Sequence, residues 1–333
     1  MAVLGILTEP SGWEKHYIAA CEELNVPYRV IDIVSNKWWE NIKNEPVDGY
    51  LVRAAGDTEV RKQMYNERLY FIEKYLPDTP MYPSYFGSLL YENKRMQSYW
   101  MKIHDIPHPE TWIFYRRDEA KAFIRDHYRW PIVSKPNLGG AGSGVRIVNT
   151  AAKARRLARK VFTRFKWYNP GLLRWKKWWF LRIPVMDDRQ HNYLLFQEYI
   201  PAQWEWRILK AGDSYFGQQK LPRKGLHSGS RRSGWVDPPR ELLEITRKIS
   251  ELSGIRSLNV DILEHTDGSY YVNEIQTWWG VRTPYQMKIN DKPARYLYTG
   301  NGEYELQFGD FHRNRGCNLR VSDFLAQLNQ PLT

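Results

Sequence analysis

The side chains of this sequence best suited to chemistry are a lysine before a glycine-rich turn and a group of acids far downstream. Lys135 ends a short apolar run, and a run of small residues from Gly139 to Gly144 follows it. Glycines in succession allow backbone N–H groups to approach an anion, and the lysine places a positive charge beside them. Together they predict a phosphate-binding turn between two strands.

Two further strand-like runs carry oxygen-bearing side chains. Asp261 lies in the first run, and Glu274 and Gln276 lie in the second. Residues two apart on a strand point to the same face, so Glu274 and Gln276 share one. An acid flanked by Val260 and Ile262 would be costly to bury without a partner, and oxygen ligands suit hard metal ions. Combined with the turn, these runs predict a nucleotide site that includes a metal ion.

The order of these parts excludes the commoner phosphate-binding loops. A P-loop has its glycines before a Gly-Lys-Ser/Thr sequence at the start of a helix, whereas here the lysine comes first. The dinucleotide fingerprint opens a helix, whereas the residues after Gly144 alternate like a strand. The glycine loop of protein kinases also precedes its strand lysine.

The composition is that of a folded chain with more than one domain. The chain has 333 residues, of which 42% are hydrophobic, and this length predicts two or three domains. No apolar run approaches the ~20 residues of a membrane span, and the first residues look like a β-strand rather than a signal peptide. Cys21 and Cys317 form no disulfide framework or metal spacing, so we expect two buried thiols in a cytoplasmic protein.

The positive charge is concentrated in one segment. The formal net charge is +12, and residues 153–189 carry twelve Lys and Arg against two Asp. A local excess of this kind predicts a local anionic partner rather than a nucleic-acid-binding protein. The insertion near 163–192 interleaves tryptophans with these cations. Three interpretations stay open: contact of 163–182 with an anionic membrane surface, stacking on sugars or bases, and packing of a lid insertion on its own subdomain.

Strand and helix patterns must position the candidate residues. Residues 1 to about 85 alternate strand and helix, which predicts a small parallel sheet covered by helices. A proline-rich stretch at 76–83 marks a boundary, and we expect one helix over 88–104 after it. Hairpins and helices mix in the remainder, beginning with the hairpin of Lys135, and a mixed tail ends in a short helix after Ser322. The fold class is therefore α/β followed by α+β.

From about residue 88 to 280 the sequence resembles the ATP-grasp superfamily, which includes D-alanine–D-alanine ligase and the α-L-glutamate ligases. The resemblance rests on five motifs in the family's order: Glu92-Asn-Lys94-Arg-Met, Pro131-Ile-Val-Ser-Lys135-Pro with its glycine turn, Phe196-Gln-Glu198-Tyr-Ile200, Glu205-Trp-Arg207, and the strands with Asp261 and Glu274. It implies a pre-ATP-grasp α/β domain at 1–86, a lid subdomain at 87–195 containing the basic insertion, and a C-terminal subdomain at 196–333 with the metal site. The nucleotide would lie between the last two.

The resemblance also implies a role for each motif residue. Lys135 and Arg207 would stabilise the transition state. The implied contacts to ATP are Lys94, Lys135, Gly139, Gly140, Gly142, Ser143, Gly144, Glu198, Tyr199, Ile200 and Glu205. Asp261, Glu274 and Gln276 would bind Mg2+, and the resemblance implies two Mg2+ ions. The sequence departs from the family pattern at Gln276, where asparagine is usual, and at Asn273, where an apolar residue is usual.

The implied activity is ATP-dependent ligation of a carboxylate to an amine through an acyl phosphate. An acidic substrate from a cell-surface polymer precursor, used at the inner face of the membrane, would fit the basic insertion. A kinase that phosphorylates a sugar or polyol hydroxyl is the alternative, and a nucleotide-binding module without turnover is a third hypothesis. Candidate substrate contacts are Arg53, which ends a strand of the first domain, and Lys220, Arg223 and Arg231 in a basic loop. The oligomeric state stays open.

Overall fold

The part of the chain that the structure describes contains three β-sheets with helices on their faces. The computed structural model describes residues 2–9, 11–53, 58–139, 142, 144–163, 192–221, 232–279 and 283–329. Outside this set lie Gly140, Ser143, Arg223, Arg231 and positions 164–191 of the basic insertion. In the described part of the chain, no helix combines the length and the apolar character that crossing a membrane requires.

The first sheet is parallel, as the alternation of strand and helix predicted. Its strands are β1 (Leu4–Leu7), β2 (Tyr28–Ile31), β3 (Gly49–Leu51) and β4 (Met81–Tyr82), and its helices are α1 (Lys15–Glu23), α2 (Trp38–Asn44) and α3 (Glu59–Tyr75). The strands lie in the order β2-β1-β3-β4. Thr58 caps α3, because its hydroxyl accepts a hydrogen bond from Arg61 N and satisfies a free N–H of the first turn. Strands β1 and β3 are neighbours, so the loops that follow them converge at one edge of the sheet.

The chain after this sheet forms two helices where the sequence predicted one over 88–104. The two helices are α4 (Tyr85–Leu90) and α5 (Lys94–Ile103). Between them Glu92 adopts a left-handed φ of 48°, which no continuous α-helix contains. Asn93 then caps α5, with its side-chain oxygen accepting from Met96 N. The break places Lys94 at the first position of a helix instead of in the middle of one.

A second, antiparallel sheet contains the predicted lysine hairpin. Its strands are β5 (Thr111–Phe114), β6 (Ile132–Ser134), β7 (Arg146–Val148) and β8 (Leu194–Glu198), and its helices are α6 (Arg117–Asp126) and α7 (Ala151–Val161). The strand order is β5-β8-β6-β7, and β6 pairs with β7 around the glycine turn. The two helices share one apolar core with the strands, which includes Ile124, Leu157 and Phe196.

The third sheet is the largest and carries the acidic strands. Its strands are β9 (Ala202–Ala211), β10 (Ser214–Lys220), β11 (Ser233–Gly234), β12 (Ser257–His265), β13 (Tyr270–Gln276), β14 (Lys288–Ile289), β15 (Lys292–Gly300) and β16 (Glu303–Phe308). The main path is β13-β12-β9-β10-β15-β14, with β11 on β10 and β16 on β15. Helix α8 (Arg240–Ser253) packs an apolar core against one face, where Ile208, Val260 and Ile262 lie. Because side chains alternate along a strand, the polar residues between them point to the other face.

The tail after residue 283 is more ordered than the sequence predicted. It contributes strands β14 to β16, and its last helix, α9 (Cys317–Leu328), begins five residues before Ser322. Strand β15 pairs with β10 and so extends the large sheet. Helix α9 packs against α1, and the core there includes Cys21 and Cys317 as buried free thiols, which confirms the prediction for both.

Candidate functional site

The acidic residues lie on one face of the large sheet, in register across neighbouring strands. Asp261 on β12 faces Glu274 on β13, and Asn259 faces Gln276 one row further on the same face. The register shifts immediately after Asp261, so Asn273 is an extra residue without a cross-strand partner. Such a bulge re-aims the side chains of its strand. Four oxygen-bearing side chains therefore form a two-by-two patch, with Asn273 beside it.

Two cations from neighbouring strands hold Asp261. Arg207 on β9 forms a bidentate ion pair with it, with Nε–Oδ1 and Nη2–Oδ2 distances of 3.0 and 3.1 Å. Lys220 on β10 contacts Asp261 Oδ2, and its Nζ lies 2.8 Å from Glu205 Oε1. Burial alone would raise the pKa of Asp261, but the charges of Arg207 and Lys220 lower it to about 2. Asp261 is therefore ionised at neutral pH although its side chain is only 2% exposed.

Lys94 reaches the acids from the start of α5. Its Nζ donates a hydrogen bond to Gly139 O at 2.8 Å and lies 3.1 Å from Glu274 Oε1. One ammonium group thus connects the glycine turn to the acidic strand. Glu92 approaches from the break between the helices: its carboxylate lies 3.8 Å from Lys94 Nζ, and its backbone N–H donates to Gln276 Oε1. Burial raises the pKa of Glu92.

Lys135 follows strand β6 and faces the bulge. Its Nζ donates to Asn273 Oδ1 at 2.7 Å, and only 9% of the residue is exposed. Burial lowers the pKa of Lys135 to about 8, although the nearby charge of Glu274 opposes the shift. Two ammonium groups from separate segments therefore converge with the acidic strands on one cleft between the second and third sheets.

Positive and negative side chains balance in this cleft. The ionisable residues named so far, here called the lysine–carboxylate cluster, are Lys94, Lys135, Arg207, Lys220, Glu92, Glu205, Asp261 and Glu274. Four are formally cationic and four formally anionic, so the cluster is neutral as a whole. Of the residues predicted from sequence, the structure brings together the two phosphate lysines, the arginine, the metal candidates, Glu205 and Lys220.

The oxygen atoms of the patch suit a magnesium ion that is shared with a substrate. Within the described ranges, no group of three or more His, Cys, Asp or Glu side chains converges as a metal site. Asp261 and Glu274 supply two facing carboxylates, and the amide oxygen of Asn259 is buried with no hydrogen-bond partner among the described residues. Mg2+ is commonly held by one or two carboxylates together with substrate phosphates. The residues present fit that mode of binding, with Gln276 as a fourth candidate ligand.

The glycine turn lies at the edge of the cluster. Gly142 and Gly144 have φ values of 74° and 76°, in the left-handed region that glycine adopts without strain. Gly139 contributes the carbonyl that Lys94 binds. The two other predicted turn positions, Gly140 and Ser143, lie outside the described residues.

The residues Glu198, Tyr199 and Ile200, here called the hinge, begin at the last residue of strand β8. Glu198 Oε2 accepts a hydrogen bond from Glu110 N at 3.3 Å, and Tyr199 is exposed next to it. The contacts of Glu198 within the described ranges are therefore inside the second sheet, and the structure does not bring its carboxylate to the lysines. Ile200 accepts a backbone hydrogen bond from Ala202 N, at the start of β9, so the hinge connects the second sheet to the third.

Arg53 lies apart from the lysine–carboxylate cluster. It follows β3, and its guanidinium forms an ion pair with Glu9 at 2.9 Å and donates to Ser11 Oγ at 2.8 Å. The rings of Trp13 and Trp278 flank it, with centroids 4.7 and 5.4 Å away. Because Trp278 follows strand β13, Arg53 lies where the first sheet meets the third. Its contact with substrate stays a prediction.

Sequence reasoning missed Asn259 and Glu92 as neighbours of the metal and phosphate candidates. Asn259 lies two residues before Asp261, so strand periodicity alone could have placed both on one face. Glu92 belongs to the same motif as Lys94. The predicted helix over 88–104, however, did not indicate that Glu92 would lie near the acids. No pattern in the sequence indicated the left-handed turn at Glu92.

Comparison with known proteins identifies similar structures but no matching family model or curated sequence. The structure is similar to that of D-cycloserine synthetase DcsG, with a TM-score of 0.59 and 14% identity over 98% of this chain and 100% of that chain. D-alanine–D-alanine ligase from Bacillus anthracis has a TM-score of 0.56 and 15% identity, over 98% of this chain and 99% of that chain.

A third similar structure carries the superfamily's name. The RimK-domain ATP-grasp protein from Sphaerobacter thermophilus DSM 20745 has a TM-score of 0.54 and 18% identity, over 82% of this chain and 90% of that chain. At such identities the likeness establishes the fold alone. The fold that the sequence motifs implied is thereby confirmed.

Proposed function

We propose that this chain, which has the ATP-grasp fold, binds ATP with Mg2+ and uses it to join a carboxylate to an amine. The observation that carries the proposal is the convergence of Lys94 and Lys135 with Asp261 and Glu274 in one cleft. Ammonium groups suit phosphate oxygens, and carboxylates suit the metal that accompanies a nucleotide. The similar structures support the proposal because they include a synthetase and a ligase.

The charge balance of the cleft supports a nucleotide bound with two metal ions. ATP carries four formal negative charges and two Mg2+ ions carry four positive ones, so the complex is neutral, as the cluster is. Such a complex would leave no uncompensated charge buried, and an uncompensated buried charge is strongly destabilising. A nucleotide without metal would bring four negative charges into a cluster whose own charges cancel, and those charges would stay uncompensated.

In the proposed reaction the side chains of this chain bind, orient and stabilise charge. Lys94 and Lys135 would bind phosphate oxygens, and Arg207 would face the transferring phosphoryl group from its place beside Asp261. Mg2+, when bound at Asp261, Glu274, Asn259 and Gln276, would neutralise charge that develops on the phosphates. No side chain has to act as a nucleophile.

The proposed bond changes follow a ligase of the acyl-phosphate type. A carboxylate oxygen of the acid attacks the γ-phosphorus, and ADP leaves with the electron pair of the broken P–O bond. The amine nitrogen then attacks the carbonyl carbon, phosphate leaves as the C–O bond breaks, and the amine gives up a proton. Positioning and electrostatic stabilisation supply most of the catalysis in such phosphoryl transfers.

Hydroxylamine tests this proposal. Wild-type protein with ATP, Mg2+, hydroxylamine and a panel of carboxylic acids should release ADP and form a hydroxamate, because hydroxylamine traps an acyl phosphate. The matched control is Glu274→Gln, which keeps the shape of the side chain and should give neither product. ADP release with phosphorylation of a sugar or polyol, and without hydroxamate, would establish the kinase alternative instead.

Nucleotide binding gives a second test. ATP with Mg2+ at 100 times its Kd should raise the free energy of unfolding by about 2.7 kcal/mol. No stabilisation by ATP with Mg2+ would refute both activities.

We further propose that the protein works at an anionic membrane surface on the cytoplasmic side, on an acidic substrate of a cell-surface polymer precursor. Helix α7 supports this, because all the charged residues on its exposed face are cations. The exposed cations of α7 are Lys153, Arg155, Arg156, Arg159 and Lys160. Each Lys or Arg near an anionic bilayer contributes about 1 kcal/mol to binding.

Co-sedimentation with lipid vesicles tests the membrane proposal. The protein should sediment with vesicles that contain phosphatidylglycerol, should not sediment with pure phosphatidylcholine, and should be released by high salt. Replacing Arg155 and Arg159 by Glu should weaken sedimentation. The matched control is the same change at Arg116 and Arg125, at the two ends of α6, which should leave sedimentation unchanged. Absent binding, or binding that salt does not weaken, would refute it.

A further inference from the structure

One buried residue connects the two segments that carry the phosphate lysines. Asn137 follows Lys135 by two residues, in the turn between β6 and β7, and only 4% of it is exposed. All four of its hydrogen-bonding groups, two in the backbone and two in the side chain, have partners. A buried amide whose groups are all hydrogen-bonded is held in one orientation. The partners therefore show which segments Asn137 holds together.

Two of the four contacts are made with the first turn of α5. The backbone carbonyl of Asn137 accepts a hydrogen bond from Lys94 N at 3.2 Å, and its side-chain Oδ1 accepts one from Arg95 N at 3.0 Å. The first N–H groups of a helix have no acceptor within the helix, so Asn137 supplies two of the acceptors that α5 needs. Because a backbone N–H can only donate, the side-chain atom that contacts Arg95 N must be the amide oxygen. The backbone of Lys94 is thus bonded directly to the turn that follows Lys135.

The two other contacts of Asn137 connect it to neighbouring elements. Its backbone N–H donates to the hydroxyl of Tyr193 at 2.9 Å, and its Nδ2 donates to Glu59 Oε1 at 3.4 Å. Glu59 also forms an ion pair with Arg95 at 3.0 Å, and the guanidinium of Arg95 lies 4.4 Å from the centroid of the Tyr193 ring. Glu59 begins α3, whose apolar side chains pack on the first sheet. Helix α3, helix α5 and the lysine hairpin therefore meet at Asn137.

We propose that Asn137 is a positioning residue that fixes the segment of Lys94 against the segment of Lys135 before a nucleotide binds. A lysine side chain is long and flexible, so the place that its ammonium group can reach depends on where its backbone is held. A site that is already held in its bound arrangement avoids the cost of ordering it during binding. Without the side chain of Asn137, the nucleotide itself would have to order the hairpin against α5. That the two lysines bind phosphate rests on the proposed function, whereas the joining of their segments does not.

The contact between Asn137 and Glu59 allows a rescue experiment. Asn137→Leu roughly keeps the volume of the side chain and removes both of its hydrogen bonds. Asn137→Asp keeps an acceptor for Arg95 N, but its second carboxylate oxygen then faces Glu59 Oε1, so that two negative charges meet. Adding Glu59→Gln to Asn137→Asp exchanges the donor and the acceptor of this contact. The double variant therefore restores the hydrogen bond and has the net charge of the wild-type protein.

Amide hydrogen exchange without nucleotide tests whether Asn137 joins the two segments. In Asn137→Leu and in Asn137→Asp, the amides at the start of α5 and in the turn after Lys135 should exchange roughly 10-fold faster, as expected for the loss of one or two hydrogen bonds. The amides of α8, on the large sheet, should keep the wild-type rate. The double variant should return both segments to nearly the wild-type rate. Unchanged exchange at the start of α5, or equally faster exchange in α8, would overturn the proposal.

The affinities for ADP and for adenosine separate positioning of the lysines from a general structural role. With Mg2+, Asn137→Leu should bind ADP roughly 10-fold more weakly than the wild type, which corresponds to about 1.4 kcal/mol, and the double variant should regain most of the affinity. Adenosine has no phosphate, so its Kd should be the same in every variant. Asn44→Leu, at an exposed position on α2, is the matched control and should bind both ligands like the wild type.

Two results of these titrations would overturn the proposal: an unchanged Kd for ADP in Asn137→Leu, or an equal loss of affinity for adenosine. A wild-type protein that does not bind ADP would refute the proposed function instead. Because hydrogen exchange is measured without nucleotide, it would still decide whether Asn137 joins the two segments.

Discussion

Replacing Lys135 by Met separates the stability of the cleft from its affinity for phosphate. Burial lowers the pKa of Lys135 from 10.5 to about 8. At 1.36 kcal/mol per pKa unit, the charged form costs about 3 kcal/mol more in the folded protein than in water. Its hydrogen bond to Asn273 offsets only about 1 kcal/mol of that. We therefore expect Lys135→Met to be folded, with a stability at neutral pH no lower than that of the wild type.

The affinity for nucleotide should change in the opposite direction. Losing one member of a buried charge pair with phosphate costs roughly 2–5 kcal/mol, and about 3 kcal/mol corresponds to a roughly 150-fold increase in Kd. Isothermal titration with ADP and Mg2+ measures this. Lys121→Met, at an exposed position on α6, is the matched control and should bind like the wild type.

The pH dependence gives this prediction a second signature. The unfolded lysine keeps its proton up to about pH 10.5, whereas the folded one loses it from about pH 8. The folded state binds fewer protons between these values, so without nucleotide its stability rises with pH across that window. Phosphate favours the protonated lysine, so wild-type affinity should be full below pH 8 and fall above it. An unchanged Kd in Lys135→Met, or the same fall in the variant, would refute a phosphate role for this lysine.

Three further substitutions test the cluster from other directions. Asp261→Asn should lower the free energy of unfolding by about 3 kcal/mol, because Arg207 then lies in the cleft without its buried counter-charge; urea unfolding at pH 7 measures it, and a loss below 1 kcal/mol would contradict the pairing. Glu274→Gln should keep the wild-type Tm within a few degrees while ADP release becomes undetectable, and retained turnover would exclude a metal role. Asn273→Leu should deprive Lys135 of its hydrogen bond, so that nucleotide affinity falls off at a lower pH than in the wild type; an identical pH profile would show that Asn273 does not position the lysine.

Local patterns in the sequence identified most of the side chains that converge in the cleft. The alternation of apolar and polar residues placed Asp261 and Glu274 on strands, and a lysine between an apolar run and a glycine turn placed Lys135 at the end of a hairpin strand. The motif order then implied the fold that the structure has. These inferences succeed because strand periodicity and turn chemistry depend on residues near one another in sequence.

The relations between distant segments could not be predicted in the same way. The left-handed turn at Glu92 depends on its contact with Gln276, which lies far along the chain. The ion pair of Arg207 with Asp261 depends on the register of β9 against β12, which no local pattern specifies. Helix α9 returns to α1 because a shared core forms there, and the sequence of either helix alone does not reveal it. The domain limits at 86/87 and 195/196 stay predictions.

A crystal structure of the protein with Mg2+ and a non-hydrolysable ATP analogue tests the central claim most directly. The account predicts phosphate oxygens within hydrogen-bond distance of the Nζ atoms of Lys94 and Lys135. It also predicts a metal ion about 2.1 Å from carboxylate oxygens of Asp261 and Glu274. A nucleotide bound elsewhere, with Lys94 still on Glu274 and Lys135 still on Asn273, would contradict it.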